Sequence, residues 1–148
     1  MNRTCARVSE AIRLCWDDVD LVNRKAVLRR TKTETMSVRY LTDDLLSRLH
    51  DMPRRSGERV FRYRCRHSVN ERLKAVCERA GLRYLPSHYV GRRAFAKNTV
   101  SLGIDTKSAM EAGGWKSSRI FLEVYVQSDD GGRIVADRFN AHRYDNEA

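Results

Sequence analysis

Residues 25–41 of the 148-residue chain read KAVLRRTKTETMSVRYL. Two runs that mix apolar and β-branched residues, 25–30 and 37–41, flank the polar link 31–36, and this pattern predicts a β-hairpin. On both sides of the hairpin, apolar residues recur at helical spacing instead of alternating. We therefore expect an α+β domain that is mostly α-helical, with its helices around a small antiparallel sheet.

Helices are predicted on both sides of the hairpin from the spacing of apolar residues and from residues that cap helix ends. The first covers 9–20, with Ser9 as its cap, and the second begins after Thr42. A capping box at Ser68 and Glu71 predicts a third helix, which Gly81 ends. Its predicted apolar stripe comprises Leu73, Val76, Cys77 and Ala80. Further helices are expected at 91–101, 106–112 and 117–127, and a C-terminal helix or tail at 129–148, after a hinge at Gly131-Gly132.

Size and composition fit one folded domain. Hydrophobic residues make up 41% of the chain and charged residues 32%, and no run of 18 apolar residues could form a membrane span. The N-terminus has no apolar stretch of the kind a secretion signal needs. The four cysteines form no C-x-x-C pair, which indicates reduced thiols instead of a disulfide framework or zinc site. We expect a cytoplasmic protein.

The charge balance predicts a nucleic-acid partner. Lysine and arginine number 29 against 19 acidic residues, for a net charge of +10, and 23 of the 29 are arginine. Arginine presents a planar fork of donors that matches a phosphate. Six arginines fall within residues 54–66, and from this stretch Arg62, Arg64 and Arg66 are predicted to contact DNA. A merely solvated basic surface is the alternative for this stretch.

The acidic pairs do not predict a metal site. Asp17-Asp18 and Asp43-Asp44 are expected at helix ends, where carboxylates cap and interact favourably with the helix dipole. Two-metal nuclease chemistry is therefore not expected, and neither a metal nor another cofactor is predicted.

Five short motifs in order resemble the catalytic domain of the tyrosine recombinase (phage integrase) family. Residues 4–10, TCARVSE, resemble its T-G-x-R-x-S-E box, and Lys32 in the hairpin link falls where the family carries a lysine. Residues 88–96, HYVGRRAFA, resemble the H-x-x-R box, and 112–115, AGGW, resemble the L-G-H/W box. Tyr125 stands where the family has its nucleophile. The resemblance implies a single, partial catalytic domain over residues 1–148, in a protein that is bacterial or phage-encoded and associated with the nucleoid.

The resemblance also implies a function and a set of site residues. The family cuts and rejoins double-stranded DNA at specific sites through a 3′-phosphotyrosyl intermediate, as in the integration of mobile elements, and it works as a homo-tetramer on DNA. The implied catalytic residues are Tyr125, Arg7, Lys32, His88, Arg92 and Trp115. Arg93, adjacent to Arg92, is expected to contact DNA instead. The alternative is a DNA-binding remnant of an integrase that no longer cuts.

Three departures from the family pattern concern these boxes. Cys5 replaces the glycine before the first arginine. One additional residue separates His88 from Arg92, and one separates Trp115 from Tyr125. On an α-helix an additional residue turns the next side chain by about 100°. We therefore expect the reach of His88 and Tyr125 to be altered more than that of Arg7. The family's N-terminal DNA-clamping domain has no counterpart in this sequence.

Overall fold

The computed structural model describes residues 1–29, 36–125 and 131–144. The sheet has three antiparallel strands, β1 (Val19–Asp20), β2 (Lys25–Arg29) and β3 (Met36–Tyr40), in the order β1-β2-β3. Val27 pairs with Val38 in the register of β2 and β3. The predicted hairpin is therefore confirmed, while its link lies outside the described residues apart from Met36, which belongs to β3.

Helices account for most of the regular structure, so the predicted fold class is confirmed. The α-helices in the described residues are α1 (Val8–Arg13), α2 (Asp43–His50), α3 (Arg66–Arg79), α4 (Ala94–Ser101), α5 (Thr106–Gly113), α6 (Ser118–Ile120) and α7 (Gly131–Tyr144). The two longest of these, α3 and α7, have 14 residues each. Two π-helical turns adjoin them, Tyr89–Arg93 before α4 and Phe121–Tyr125 after α6.

The first helix is shorter than predicted because its continuation pairs with a distant segment. The carbonyl of Leu14 accepts a hydrogen bond from the Val60 N–H at 2.9 Å, and the Trp16 N–H donates to the Glu58 carbonyl at 3.0 Å. These bonds draw the backbone away from the helix after Arg13, and a 3₁₀ turn, Trp16–Asp18, leads into β1. The predicted helix over 9–20 is therefore wrong in its second half, and its cap is Arg7 instead of Ser9.

The third helix also differs from its prediction. It begins at Arg66, and Ser68 lies inside its first turn, where the Ser68 hydroxyl donates to the Cys65 carbonyl at 2.8 Å. The predicted stripe of Leu73, Val76, Cys77 and Ala80 is not a core face, because no residue of α3 is buried. Gly81 ends the helix as predicted, with a φ of +63°.

The C-terminal prediction is partly corrected. Residues 131–144 form α7, so a helix replaces the open choice between helix and tail. Gly131 and Gly132 are its first two residues and not a hinge between elements. Residues 129–130 and 145–148 lie outside the described residues. Among the helices that are described, none is both long enough and apolar enough to cross a bilayer.

Two apolar clusters form the core of the described residues. The larger joins the segments on either side of α1, the sheet and α2, and includes Trp16, Leu28, Leu49 and Val60. The smaller joins α4, α5 and the turn after α6 through Ala96, Ala109 and Phe121, with Trp115 packed against it. Its aromatic rings are in direct contact, since the Trp115 and Phe121 centroids lie 4.9 Å apart edge to face.

Candidate active site

A cleft of about 830 Å³ contains four of the six residues predicted to be catalytic. Arg7 lies at the start of α1, and His88 and Arg92 lie on the helical segment that runs into α4. Trp115 follows the end of α5. All four line the cleft, although the sequence separates the first from the last by more than 100 residues. The cleft therefore collects guanidinium, imidazole and indole donors, which is a set suited to an anion.

Arg7 is fixed by the glutamate of its own box. Its Nη1 donates to Glu10 Oε1 at 2.8 Å, and its backbone N–H donates to Glu10 Oε2 at 2.7 Å. The Glu10 side chain is almost fully buried, whereas 43% of the Arg7 side chain is exposed. One carboxylate thus anchors both the helix start and the guanidinium, leaving Arg7 in contact with solvent in the cleft.

Arg92 is the most enclosed cation of the cleft, with only 8% of its surface exposed. Its Nη1 donates to the carbonyls of Cys5 and Gly113, each at 3.0 Å. Its guanidinium carbon lies 4.0 Å from the centre of the Trp115 ring, a cation–π contact. These contacts hold the guanidinium plane in one orientation between the two core clusters.

Cys5 occupies the family's glycine position in a backbone conformation that favours glycine. Its φ is +55°, and a left-handed conformation costs a non-glycine residue roughly 1–2 kcal/mol. The same conformation lets the Cys5 carbonyl accept from Arg92. The side chain is fully buried, and this burial raises the pKa of the Cys5 thiol to about 11.

Glycine is needed at each of the two positions before Trp115, for a different structural reason at each. A Cβ on Gly113 would lie 1.8 Å from the Trp115 ring, so only glycine allows the indole to fold back over the end of α5. Gly114 has a φ of +65°, which turns the chain out of the helix. Together they place the indole between Arg92 and Phe121.

Arg39 lies next to this arrangement and was missed by the sequence analysis. It is 4% exposed, and its Nη2 donates to the Gly113 carbonyl at 3.4 Å, the same oxygen that accepts from Arg92. A signal was available, because pairing with Ala26 puts Arg39 on the inner face of the sheet. Two guanidinium groups therefore converge on the end of α5.

The remaining predicted residues are distributed around the cleft. Arg64 and Arg66 line it, while Arg62 lines a shallower groove beside it with Arg55 and Arg59. The Arg93 guanidinium lies 4.5 Å from the centre of the Tyr89 ring, and Arg93 is not part of the cleft lining. Lys32 lies outside the described residues. The Tyr125 backbone ends the second π-helical turn, and its side chain also lies outside what the structure describes.

Both spacings that exceed the family pattern fall in the π-helical turns. Tyr89–Arg93 covers the interval between His88 and Arg92, and Phe121–Tyr125 ends at the candidate nucleophile. A π-helical turn closes hydrogen bonds from residue i to i+5, so it holds one residue more than an α-helical turn. The additional residue is taken up inside the turn, and His88 lines the same cleft as Arg92 despite the longer spacing.

The fold is that of the catalytic domains of tyrosine recombinases. XerA recombinase matches with a TM-score of 0.77 at 17% identity, over 96% of this chain and 55% of that chain. The catalytic domain of bacteriophage HP1 integrase matches with a TM-score of 0.65 at 19% identity, over 92% and 76%. The Tn1549 transposon integrase, in complex with circular intermediate DNA, matches with a TM-score of 0.67 at 15% identity, over 93% and 57%.

The sequence places the chain within this class. The model of the phage integrase family matches residues 1–131, so the chain belongs to the phage integrase family. No curated protein sequence matches the chain significantly. The chain spans a little over half the length of XerA recombinase and of the Tn1549 integrase.

The thiols provide a test of the geometry at the cleft. We expect iodoacetamide to alkylate Cys65 first and Cys5 last. A hydrogen bond from the Ser68 backbone N–H, together with the contact to the Ser68 hydroxyl, lowers the pKa of the exposed Cys65 thiol, whereas burial raises the pKa of the Cys5 thiol. Cys65 should therefore react at a lower pH than an ordinary thiol, because the thiolate is the nucleophile.

Peptide mapping by mass spectrometry between pH 6 and pH 9 measures both rates. Cys65→Ser serves as the control and should remove the fastest phase. Alkylation of Cys5 in the folded protein at the rate of Cys65 would contradict the buried left-handed position of Cys5.

Proposed function

We propose that the chain cuts and rejoins double-stranded DNA at specific sites through a covalent bond between Tyr125 and a 3′-phosphate. The observation that carries the proposal is the cleft, in which Arg7, His88, Arg92 and Trp115 meet. The family and the fold supply the reaction class.

Each step of the proposed reaction has a side chain to perform it. The Tyr125 oxygen attacks the phosphorus, so that a P–O bond to tyrosine forms while the P–O5′ bond breaks. The phenol has an ordinary pKa of about 10, and neighbouring guanidinium groups favour its deprotonation. His88 accepts its proton, and Lys32 donates one to the leaving 5′ oxygen.

The cations stabilise the charge that builds on phosphorus oxygens in the transition state. Arg7 and Arg92 would donate to the two non-bridging oxygens, and the Trp115 N–H would add a neutral donor. The contacts of Arg7 with Glu10 and of Arg92 with two carbonyls and Trp115 hold these side chains in place before DNA binds. Such preorganisation is the larger part of electrostatic catalysis.

Rejoining follows from the same chemistry in reverse. The phosphotyrosine keeps the energy of the broken phosphodiester, so a 5′-hydroxyl from another strand can attack it and release Tyr125. No step requires ATP or a metal ion, because side chains fill every role. The proposed cleavage should accordingly proceed in the presence of EDTA.

A nicked suicide substrate tests the proposal. A nick close to the cleavage point lets the short 5′-hydroxyl fragment diffuse away, so the protein remains attached to DNA. We expect a band that survives denaturing electrophoresis after incubation with a pool of nicked duplexes of varied sequence. The proposal fails if no duplex of the pool gives a covalent complex while DNA binding is retained.

DNA affinity should depend steeply on salt. With about six phosphate contacts, affinity should drop on the order of a thousandfold between 50 and 200 mM salt. Titration of a fluorescent duplex measures the slope of log affinity against log salt. Arg64→Gln in the cleft should lower that slope by about one, because one phosphate contact is lost.

Arg48→Gln is the matched control, since Arg48 is exposed on α2 and lines neither the cleft nor the groove that contains Arg62. It should leave the slope unchanged. A flat salt response of the unmodified protein would contradict DNA binding altogether.

A second candidate is a DNA-binding protein of the same family that no longer cuts. One observation favours it: Arg92 Nη1 already donates to two backbone carbonyls, and only 8% of the residue is exposed. In that case a DNA phosphate binds in the cleft, and no side chain attacks its phosphorus. DNA binding with no covalent complex on any nicked substrate distinguishes this candidate from the first.

We also propose that copies of the chain assemble on DNA, as the family resemblance implies. The helix α7 exposes Ile134, Val135 and Phe139, which are 53%, 54% and 71% accessible. These side chains would anchor α7 on a neighbouring copy. The mass of the complex on DNA tests the assembly.

A further inference from the structure

The hydroxyl of Ser87 is buried beside the cleft and has no hydrogen-bond partner among the described residues. Ser87 is 1% exposed, and no group of the described residues makes a hydrogen bond with its Oγ atom. A buried hydroxyl without a partner destabilises the folded state, so such atoms are rare in folded proteins. The family's boxes assign no role to this residue.

Hydrogen bonds hold the backbone at Ser87 in place. Its N–H donates to Asn70 Oδ1 on α3 at 3.0 Å. The chain is helical from Ser87 onward, and the Pro86 carbonyl accepts from the N–H of Tyr89 at 2.9 Å. The hydroxyl thus sits at the start of the segment that carries His88 and Arg92.

The residues around Ser87 indicate which kind of group could accept a hydrogen bond from its hydroxyl. Ser87 lines the cleft together with Arg7, His88 and Arg92. A hydroxyl can donate to any oxygen, but the cationic lining favours an anion. A phosphate oxygen fits both the hydroxyl and the cationic lining.

We propose that Ser87 is a further phosphate-binding residue of this cleft, whose hydroxyl donates to a non-bridging oxygen of the DNA phosphate. This inference rests on the proposed function for the identity of the phosphate as a DNA phosphodiester. The hydroxyl has no hydrogen-bond partner among the described residues, and because Ser87 is only 1% exposed, it has to turn toward the cleft to donate when DNA binds.

Ser87→Ala separates this role from a structural one. Removing an unsatisfied hydroxyl should leave the melting temperature without ligand unchanged or raise it. The same change should weaken binding of inorganic phosphate, measured by calorimetry, about tenfold or more, because hydrogen bonds to charged groups are the stronger ones. A structural hydroxyl would give the opposite pattern, a lower melting temperature with phosphate affinity unchanged, and that pattern overturns the inference.

Two further variants keep the test decisive. Ser87→Cys retains the volume but donates weakly, and its phosphate affinity should fall between those of the wild type and Ser87→Ala. It replaces Ser87→Ala if the alanine variant does not fold. Ser101→Ala is the matched control, because the exposed Ser101 hydroxyl donates to the Asn98 carbonyl at 2.9 Å and lies outside the cleft lining. Its phosphate affinity should not change.

The nicked duplex separates this inference from the proposed function. Covalent trapping by the wild type, with Ser87→Ala slowed about tenfold or more, supports both. If Ser87→Ala traps DNA as fast as the wild type and binds phosphate equally well, the inference fails and the proposed function stands. If no DNA is trapped but phosphate affinity still depends on Ser87, the proposed function fails and the anion site stands. Absence of phosphate binding by the wild type overturns the inference.

Discussion

Tyr125→Phe should abolish the covalent protein–DNA complex and leave DNA affinity unchanged. The substitution removes one oxygen, the atom that would form the bond to phosphorus, and no positive charge. Covalent yield on the nicked duplex and affinity for an intact duplex measure the two effects separately. The expected loss of covalent product is complete within detection, which makes it the largest effect foreseen for a single atom.

Tyr40→Phe is the control for this substitution. Tyr40 lies on β3, is 76% exposed and is outside the cleft lining, so its variant should cut normally. Covalent product from Tyr125→Phe at the wild-type level would mean that another residue is the nucleophile.

Arg92→Lys should lower the rate of cleavage by about 100- to 1,000-fold. Loss of one preorganised donor to the developing charge typically has this effect. A lysine keeps the charge, but its single ammonium cannot reproduce a planar group that bonds Cys5 and Gly113 while stacked on Trp115. Single-turnover cleavage of the nicked duplex measures the rate.

The fold of this variant is checked by its melting temperature, because the carbonyls of Cys5 and Gly113 would lose their donor. Arg48→Lys on the exposed face of α2 controls for the exchange of residue type and should cut at the wild-type rate. Cleavage by a folded Arg92→Lys protein within about threefold of wild type would contradict the proposed role of Arg92.

Local patterns predicted those elements whose structure is decided locally. The hairpin follows from two runs of apolar and β-branched residues that flank a polar link, and the start of α2 from Thr42 with two aspartates after it. The end of α1 could not be predicted, because the carbonyl of Leu14 and the N–H of Trp16 bond with residues more than 40 positions away. The prediction that the apolar stripe of α3 is buried was wrong for a related reason, since the burial of a helix face depends on which distant residues pack against it.

The candidate site likewise has features that the sequence predicted and features that depend on the folded structure. Motif order was sufficient to bring Arg7, His88, Arg92 and Trp115 into one set, and these four share the cleft. Their spacing alone did not reveal that π-helical turns take up the additional residues. Ser87 carries no sequence signal, because an unsatisfied hydroxyl is recognised only from burial and missing partners. Arg39 could have been found only from the register of β2 and β3.

The most direct test of the central claim is mass spectrometry of the residue attached to DNA. The covalent complex, formed in EDTA and digested with protease and nuclease, should yield one nucleotide-linked peptide. The account predicts that this peptide contains Tyr125 and that the link is a 3′-phosphotyrosine. A link to any of the other five tyrosines, or to a serine or cysteine, would contradict the account.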